Sequence, residues 1–311
     1  MKESPIIIEN LSKWYGDVRG ISGINLEIDK GITGLVGPNA SGKTTLLNLI
    51  CGLLIPSYGK VKIFGEEAFT GTNFKQHLGV AGQKESLYPF MTVLEFVTKF
   101  TQLQGFLKHD ARKRAQKAIE QVRLTKKIDK KIYTLSKGMR QCLKIAQAIA
   151  HDPKILLLDE ILNGCDPLVK HYIKNLLIEM EEKNTLILLS SHNLKEMESL
   201  TEKVAVIDRG KLVAHGKINE LQEFLEKDNH WVSIEGSNIR KLGQILLSYP
   251  DVVEIKFVTE DSLQVKTKDP IKFYKRFPSI ICSKEHFDIK KIVPTNQNLQ
   301  ALFQNLTGVF N

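Results

Sequence analysis

The nine residues GPNASGKTT, Gly37 to Thr45, constrain this chain more than any other stretch. They fit G-x-x-x-x-G-K-[ST] between an apolar run, ITGLV, and a helical run from Lys43 to about Gly52, so the order strand, tight loop, helix is predicted. Each part has a physical reason. Gly37 and Gly42 let the loop turn sharply through Pro38, which has no N–H, and wrap a phosphate with the backbone N–H groups of Asn39, Ala40 and Ser41, and the helix N-terminus adds positive potential. Lys43 supplies a mobile cation for β- and γ-phosphates, Thr44 places a hydroxyl for Mg²⁺, and Thr45 offers a bond to a further phosphate oxygen. The motif implies a nucleoside triphosphate.

A metal site beside such a loop needs carboxylates at the carboxyl edge of the sheet, and KILLLDE provides them. Asp159 would hold Mg²⁺ through water, and Glu160 would polarise an attacking water. No Asn/Thr-Lys-x-Asp guanine reader is present.

Along the chain, PIIIEN, GINLEI and ITGLV read as strands, and about 92–150 as helical. Strands KILLL, TLILLS and KVAVI then alternate with a helix from about Pro167 to Lys183 and a shorter one, and DRGKL reads as a hairpin turn. This alternation predicts an α/β core with a parallel sheet covered on both faces, carrying a helical insertion at about 85–150. The pattern changes near Asn229. HWVSIEG, NIRKLGQILLSY, VVEIKFV, SLQVKTK, PIKFYKRF and FDIKKIV give the order βαββαβ, a small ferredoxin-like α+β domain, with LQALFQNL as an added helix. The expected domains are 1–228 and 229–311.

No apolar stretch approaches the roughly 18 residues that span a bilayer, and MKESPIIIEN does not read as a secretory signal. Cys51, Cys142, Cys165 and Cys282 lack paired or metal-like spacing, which fits a reduced compartment. The net charge is +9, yet Lys99 to Lys144 alone holds fourteen Lys and Arg against three acids, so the basic surface is local.

One further stretch, LSKGMRQ, admits two readings. Ser136 suits an N-cap, with Met139, Leu143, Ala146 and Ile149 following at helical spacing; the same helix start also suits an anion.

Taken in order, the phosphate loop, Gln83, LSKGM, the acid pair, NGCDP and SSHNL resemble the nucleotide-binding subunit of ATP-binding-cassette (ABC) transporters, over about residues 5–225. The resemblance implies ATP and Mg²⁺ as ligands and a P-loop core with N-terminal antiparallel strands. It gives Tyr15, in LSKWYG, the role of stacking on adenine, with Trp14 as the competing residue. Gln83 would contact Mg²⁺ and the attacking water, and His192 would touch the γ-phosphate and hold Glu160. Ser136 and Gly138 would bind the phosphate of a partner subunit's ATP, and Asp166 would lie on the loop between subunits. The chain departs from the family at Lys137 and Met139, where LSGGQ is favoured and Met139 forfeits one polar group, and at Ile161, Leu162 and Cys165, none of which removes a charge or a ligand.

The expected function is an ATP-hydrolysing subunit at the cytoplasmic membrane face. It would close as a head-to-tail dimer with a second copy or a homologous subunit and drive a separate transmembrane permease, in export, because the tail PTNQNLQALFQNLTG resembles that of cassettes from the exporter (ABC-2-like) branch. The terminal domain would regulate or add dimer contacts. Two alternatives are a soluble ABC ATPase acting on ribosomes or nucleic acid and a non-hydrolysing ATP-binding regulator. The 116 positions from Lys43 to Asp159 leave no room for the long coiled coil of chromosome-associated members, and retained Lys43, Asp159, Glu160 and His192 weigh against a regulator. No nucleic-acid partner is expected.

Overall fold

The computed structural model describes residues 4–84, 87–221, 230–281 and 287–295. Its internal contacts form two units, Met1–Lys217 and Ile218–Asn311. The boundary expected at 228/229, Cys282 and the helix LQALFQNL lie outside the described residues.

The first unit opens with β1 (Ile6–Tyr15), β2 (Val18–Ile28) and β3 (Ile32–Val36), then α1 (Lys43–Ile50), β4 (Tyr58–Ile63), β5 (Glu66–Glu67) and β6 (Leu78–Ala81). Helices α2 (Val93–Leu103), α3 (Lys108–Gln121) and α4 (Lys137–Ile149) follow. The chain then runs through β7 (Ile155–Asp159), α5 (Pro167–Glu182), β8 (Leu186–Ser191), α6 (Leu194–Glu198), β9 (Lys203–Asp208) and β10 (Lys211–Lys217). Two sheets result: an antiparallel one in the order β2-β1-β4-β5, and a six-stranded one in the order β10-β9-β3-β8-β7-β6. In the second, β9, β3, β8, β7 and β6 pair in parallel, and only β10 runs antiparallel.

Parallel strands buried on both faces need continuous apolar runs, and β3, β7 and β8 are buried at every position. α1 shares one core with both sheets: Leu46, Leu49 and Ile50 sit among Ile6, Leu11, Ile21, Ile28, Leu157 and Leu188. Burying each such side chain contributes about 1.5–3 kcal/mol, so the helix behind the phosphate loop is anchored on two sides. The insertion has its own start signal. Thr92 caps α2 by accepting from Glu95 N at 3.1 Å, while Glu95 accepts from Thr92 N at 2.7 Å.

Two strands go beyond the sequence expectation. β4, YGKVKI, buries only Val61 and Ile63, and β6, LGVA, has four residues. β4 makes no apolar run and β6 only a very short one, and each is recruited by a strand distant in sequence: β4 by β1, β6 by β7. The aromatic pair also differs from a free loop, since Trp14 and Tyr15 finish β1 and pair with Arg19 and Val18.

The second unit contains β11 (His230–Gly236), α7 (Ile239–Leu247), β12 (Val252–Thr259), β13 (Ser262–Thr267), α8 (Pro270–Ile281) and β14 (Ile289–Thr295). They form an antiparallel sheet in the order β12-β13-β11-β14, the ferredoxin-like arrangement expected of βαββαβ. Helical spacing puts Ile239, Leu242 and Leu246 of α7, and Phe273, Phe277 and Ile280 of α8, into one core with Val232, Ile234, Leu263 and Val265. Among the described residues no helix is long and apolar enough to cross a membrane.

Candidate functional site

The loop Gly37–Gly42 leaves β3 at the carboxyl edge of the parallel sheet. Its first glycine is dictated by space: a Cβ on Gly37 would lie 2.3 Å from the Ile207 carbonyl oxygen and 2.4 Å from Ser41 Oγ. Ala40 and Gly42 have φ of 62° and 110°, which turns successive peptide groups inward. No side chain caps α1, whose first N–H groups therefore face the loop without an intrachain acceptor of that kind. Lys43, only 5% exposed, fills the ring of the loop. Its ammonium donates to the carbonyls of Gly37 at 2.8 Å and Pro38 at 3.0 Å and lies 3.3 Å from Glu160 Oε1.

The acid pair is tied to this loop and to β8. Thr44 Oγ1 donates to Asp159 Oδ2 at 2.7 Å. Ser190 Oγ donates to Asp159 Oδ1 at 2.5 Å and accepts from the Glu160 backbone N–H at 2.9 Å. Ser190 was not singled out from the sequence, yet it holds both acids at once. Glu160 has φ of 50°, the left-handed region that a non-glycine residue enters at a cost, and the bond from its N–H to Ser190 helps to hold it there. Its buried carboxylate meets Lys43 on one oxygen and His192 Nδ1 on the other, at 3.1 Å. A carboxylate only accepts, so the imidazole donates from Nδ1 and turns Nε2 outward. Asn163 Nδ2 adds a longer contact at 3.5 Å.

Gln83 follows β6, and its carbonyl accepts from Lys144 Nζ at 3.3 Å. With Thr44 and Asp159 it lines a cleft of about 340 Å³ whose walls include Leu87, Phe96 and Phe100. Tyr15, about half exposed, places its hydroxyl 3.5 Å from Thr45 Oγ1, and its ring lies against Gly20, where a Cβ would come within 2.8 Å of Cε2. Phosphate loop, Tyr15, Gln83, Asp159, Glu160 and His192 thus converge at one end of the sheet.

Ser136, Gly138 and Asp166 form a second cluster. Ser136 Oγ accepts from Met139 N at 3.3 Å as the N-cap of α4, and Asp166 Oδ1 accepts from Val169 N at 2.8 Å as the N-cap of α5, with Pro167 at the first helical position. Gly138 is buried facing Cys165 and Val169. The Lys137 side chain runs across Gly164, so closely that a Cβ there would sit 2.5 Å from Nζ and 2.6 Å from Cε. No local pattern of residues signals this contact.

The cysteines near these clusters sit in surroundings that disfavour the thiolate. Burial, aided by the Asp159 charge, pushes the Cys51 thiol up to about 12; burial likewise pushes Cys142 up to about 12 and raises Cys165. All three are buried and free of disulfides.

Comparison with known proteins agrees with this arrangement. A family profile described as "ABC transporter" matches residues 21–163. The chain is 30% identical to a Nod factor export ATP-binding protein I of Cupriavidus metallidurans, over 97% of this chain and 96% of that one. It is 29% identical to the linearmycin resistance ATP-binding protein LnrL of Bacillus subtilis, over 96% and 97%. Among solved structures it is similar to dimeric MJ0796, described as a bacterial ABC transporter cassette, with a TM-score of 0.64, 25% identity and coverage of 68% of this chain and 98% of that one. With the loop, the acid pair and the matching fold in place, the chain belongs to the ABC transporter family, as one of its ATP-binding domains.

Proposed function

We propose that this chain hydrolyses ATP to power an exporter, closing head to tail with a second copy or a homologous subunit against a separate membrane permease at the cytoplasmic face. The observation that carries the hydrolytic reading is the unbroken chain of contacts from Thr44 through Asp159, Ser190 and Glu160 to Lys43 and His192. A chain that only bound nucleotide would have no need to hold a buried carboxylate beside the phosphate loop at such cost.

Each residue has a task. The loop N–H groups and Lys43 bind the phosphates, and Tyr15 stacks on adenine, a reading favoured over Trp14 by its contact with Thr45. The Thr44 hydroxyl and Asp159 carboxylate, already 2.7 Å apart, are hard oxygen donors suited to Mg²⁺, with Gln83 on the same cleft. Bound there, Mg²⁺ would neutralise charge on the phosphates. As Lys43 turns to the phosphates, Glu160 is released to take a proton from the water that attacks the γ-phosphorus. The bond from that phosphorus to the bridging oxygen breaks, and ADP leaves with phosphate. His192 holds the Glu160 carboxylate in line. Ser136, Gly138 and Asp166 serve the partner subunit's nucleotide. The relatives named for Nod factor export and for linearmycin resistance support export as the direction; the substrate would be recognised by the permease. The basic stretch Lys99–Lys144 suits a permease loop or an anionic lipid surface.

The test is Glu160→Gln. Turnover should fall at least about a hundredfold while ATP binding persists, and the variant should trap an ATP-bound dimer. Hydrolysis at the parent rate would remove Glu160 from the role of base.

A further inference from the structure

The two edges of the sheet in the second unit are treated differently. An open edge strand leaves every other N–H and C=O without a ladder partner, and proteins blunt such edges with lysine and proline. β14 follows that rule: its sequence is IKKIVPT, with Lys290 and Lys291 exposed and Pro294 lacking an N–H. β12, VVEIKFVT, has no proline, and its one lysine, Lys256, lies 3.5 Å from Glu254 of the same strand. It pairs only with β13, and among the described residues no strand lines its other side. Val253, Phe257 and Val258 are 46, 51 and 57% exposed, an apolar content that a solvated edge has no use for.

The order of residues in β12 supplies the occupant. Glu254 and Lys256 flank Ile255, and apolar residues flank both charges. When the strand is laid antiparallel on itself about Ile255, Glu254 falls opposite the partner's Lys256, and Lys256 opposite the partner's Glu254. Val253 then meets the partner's Phe257, and Val252 the partner's Val258. Breaks in register with β13 occur between Val252 and Glu254 and between Phe257 and Thr259, so Glu254–Phe257 is the straight part of the edge, and it carries both acid–base pairs. Within one chain Lys256 Nζ lies 3.5 Å from Glu254 and 4.7 Å above the Trp231 ring, which sets both charges out on one face of the sheet. Opposite charges directly across an antiparallel pair are favourable and like charges unfavourable.

We propose that β12 pairs antiparallel with β12 of a second copy, joining two terminal domains into an eight-stranded sheet by a contact that needs no ATP. The proposal uses no residue of the nucleotide site.

The experiment uses the full chain without nucleotide or Mg²⁺, by sedimentation over a concentration series. The parent chain should associate reversibly, and more weakly as ionic strength rises. Lys256→Glu and Glu254→Lys each place like charges in both pairs, so each alone should weaken association about tenfold. Mixed together, the two variants should associate at least as well as the parent, because a strand with two acids then meets a strand with two lysines. Thermal melts check that each is folded. If either single variant unfolds, the double exchange Glu254→Lys with Lys256→Glu restores every pair and should associate like the parent. A parent that sediments as a monomer throughout, single variants that associate as the parent does, or a mixture no tighter than its components would overturn the proposal. The Glu160→Gln dimer requires ATP and this one forms without it, so the two readings fail separately.

Discussion

The helices that begin at Lys43 and at Lys137 both follow a strand or turn with their N-termini open to an anion, but they meet it differently. α1 has no side-chain cap; its loop is shaped by Gly37, Ala40 and Gly42, and Lys43, Thr44, Asp159 and Glu160, the residues proposed to meet phosphate and metal, lie together within the same chain. α4 is already capped by Ser136, and Asp166 beside it is occupied at the start of α5. On the proposed reading, one terminus is a site in itself. The other is a structural cap whose role in nucleotide chemistry depends on what a second subunit brings, and helix geometry alone does not tell the two apart.

The largest effect expected from this contrast is at Lys43. Lys43→Ala removes a charge-assisted partner of the phosphates and leaves Glu160 buried without its cation, so ATP binding by the single chain should weaken about a hundredfold in equilibrium titration. Near-parent binding would mean that the first terminus is not self-sufficient. Ser136→Ala tests the other side. It should cost about 1 kcal/mol of stability as a lost cap and leave ATP binding by the monomer within about twofold, while hydrolysis drops about tenfold or more. If binding and hydrolysis fall together, Ser136 acts only through folding. Ser190→Ala gives the smallest and most informative change. It removes the hydroxyl shared by Asp159 and Glu160, so turnover should fall by about tenfold and stability by about 1–2 kcal/mol, with ATP affinity held by the intact loop. Calorimetric melting and steady-state kinetics measured on one preparation separate these contributions.

Much of this was legible before the fold was described. The phosphate loop reads clearly because glycine, lysine and threonine at fixed spacing leave few alternatives, and ILLLD reads as a buried strand because its apolar run is unbroken. The Ser136 cap was legible from its residue type and the spacing after it. Ser190 was not. Its importance comes from the register of β8 against β7, which sets Ser190 beside Asp159, and register between strands 31 residues apart is a property of the sheet as a whole. β4 and β6 escaped for a related reason: β4 buries only Val61 and Ile63, β6 is four residues long, and each gains its order from a partner far along the chain. The position of Lys137 over Gly164 depends on how the start of α4 packs on the loop before α5, and no local pattern encodes it.

That last contact changes how the unusual LSKGM stretch should be engineered. Lys137 lies where any side chain at position 164 would have to go, and Gly164 also holds φ at +75°, where a substituted residue would be strained. The two positions therefore form one unit of sequence variation. Grafting the family's more common glycine at 137 would strip the cover from the loop before Asp166, and adding even a methyl at 164 would evict the lysine from its resting place. Anyone transplanting a signature between cassettes should move residues 137 and 164 together.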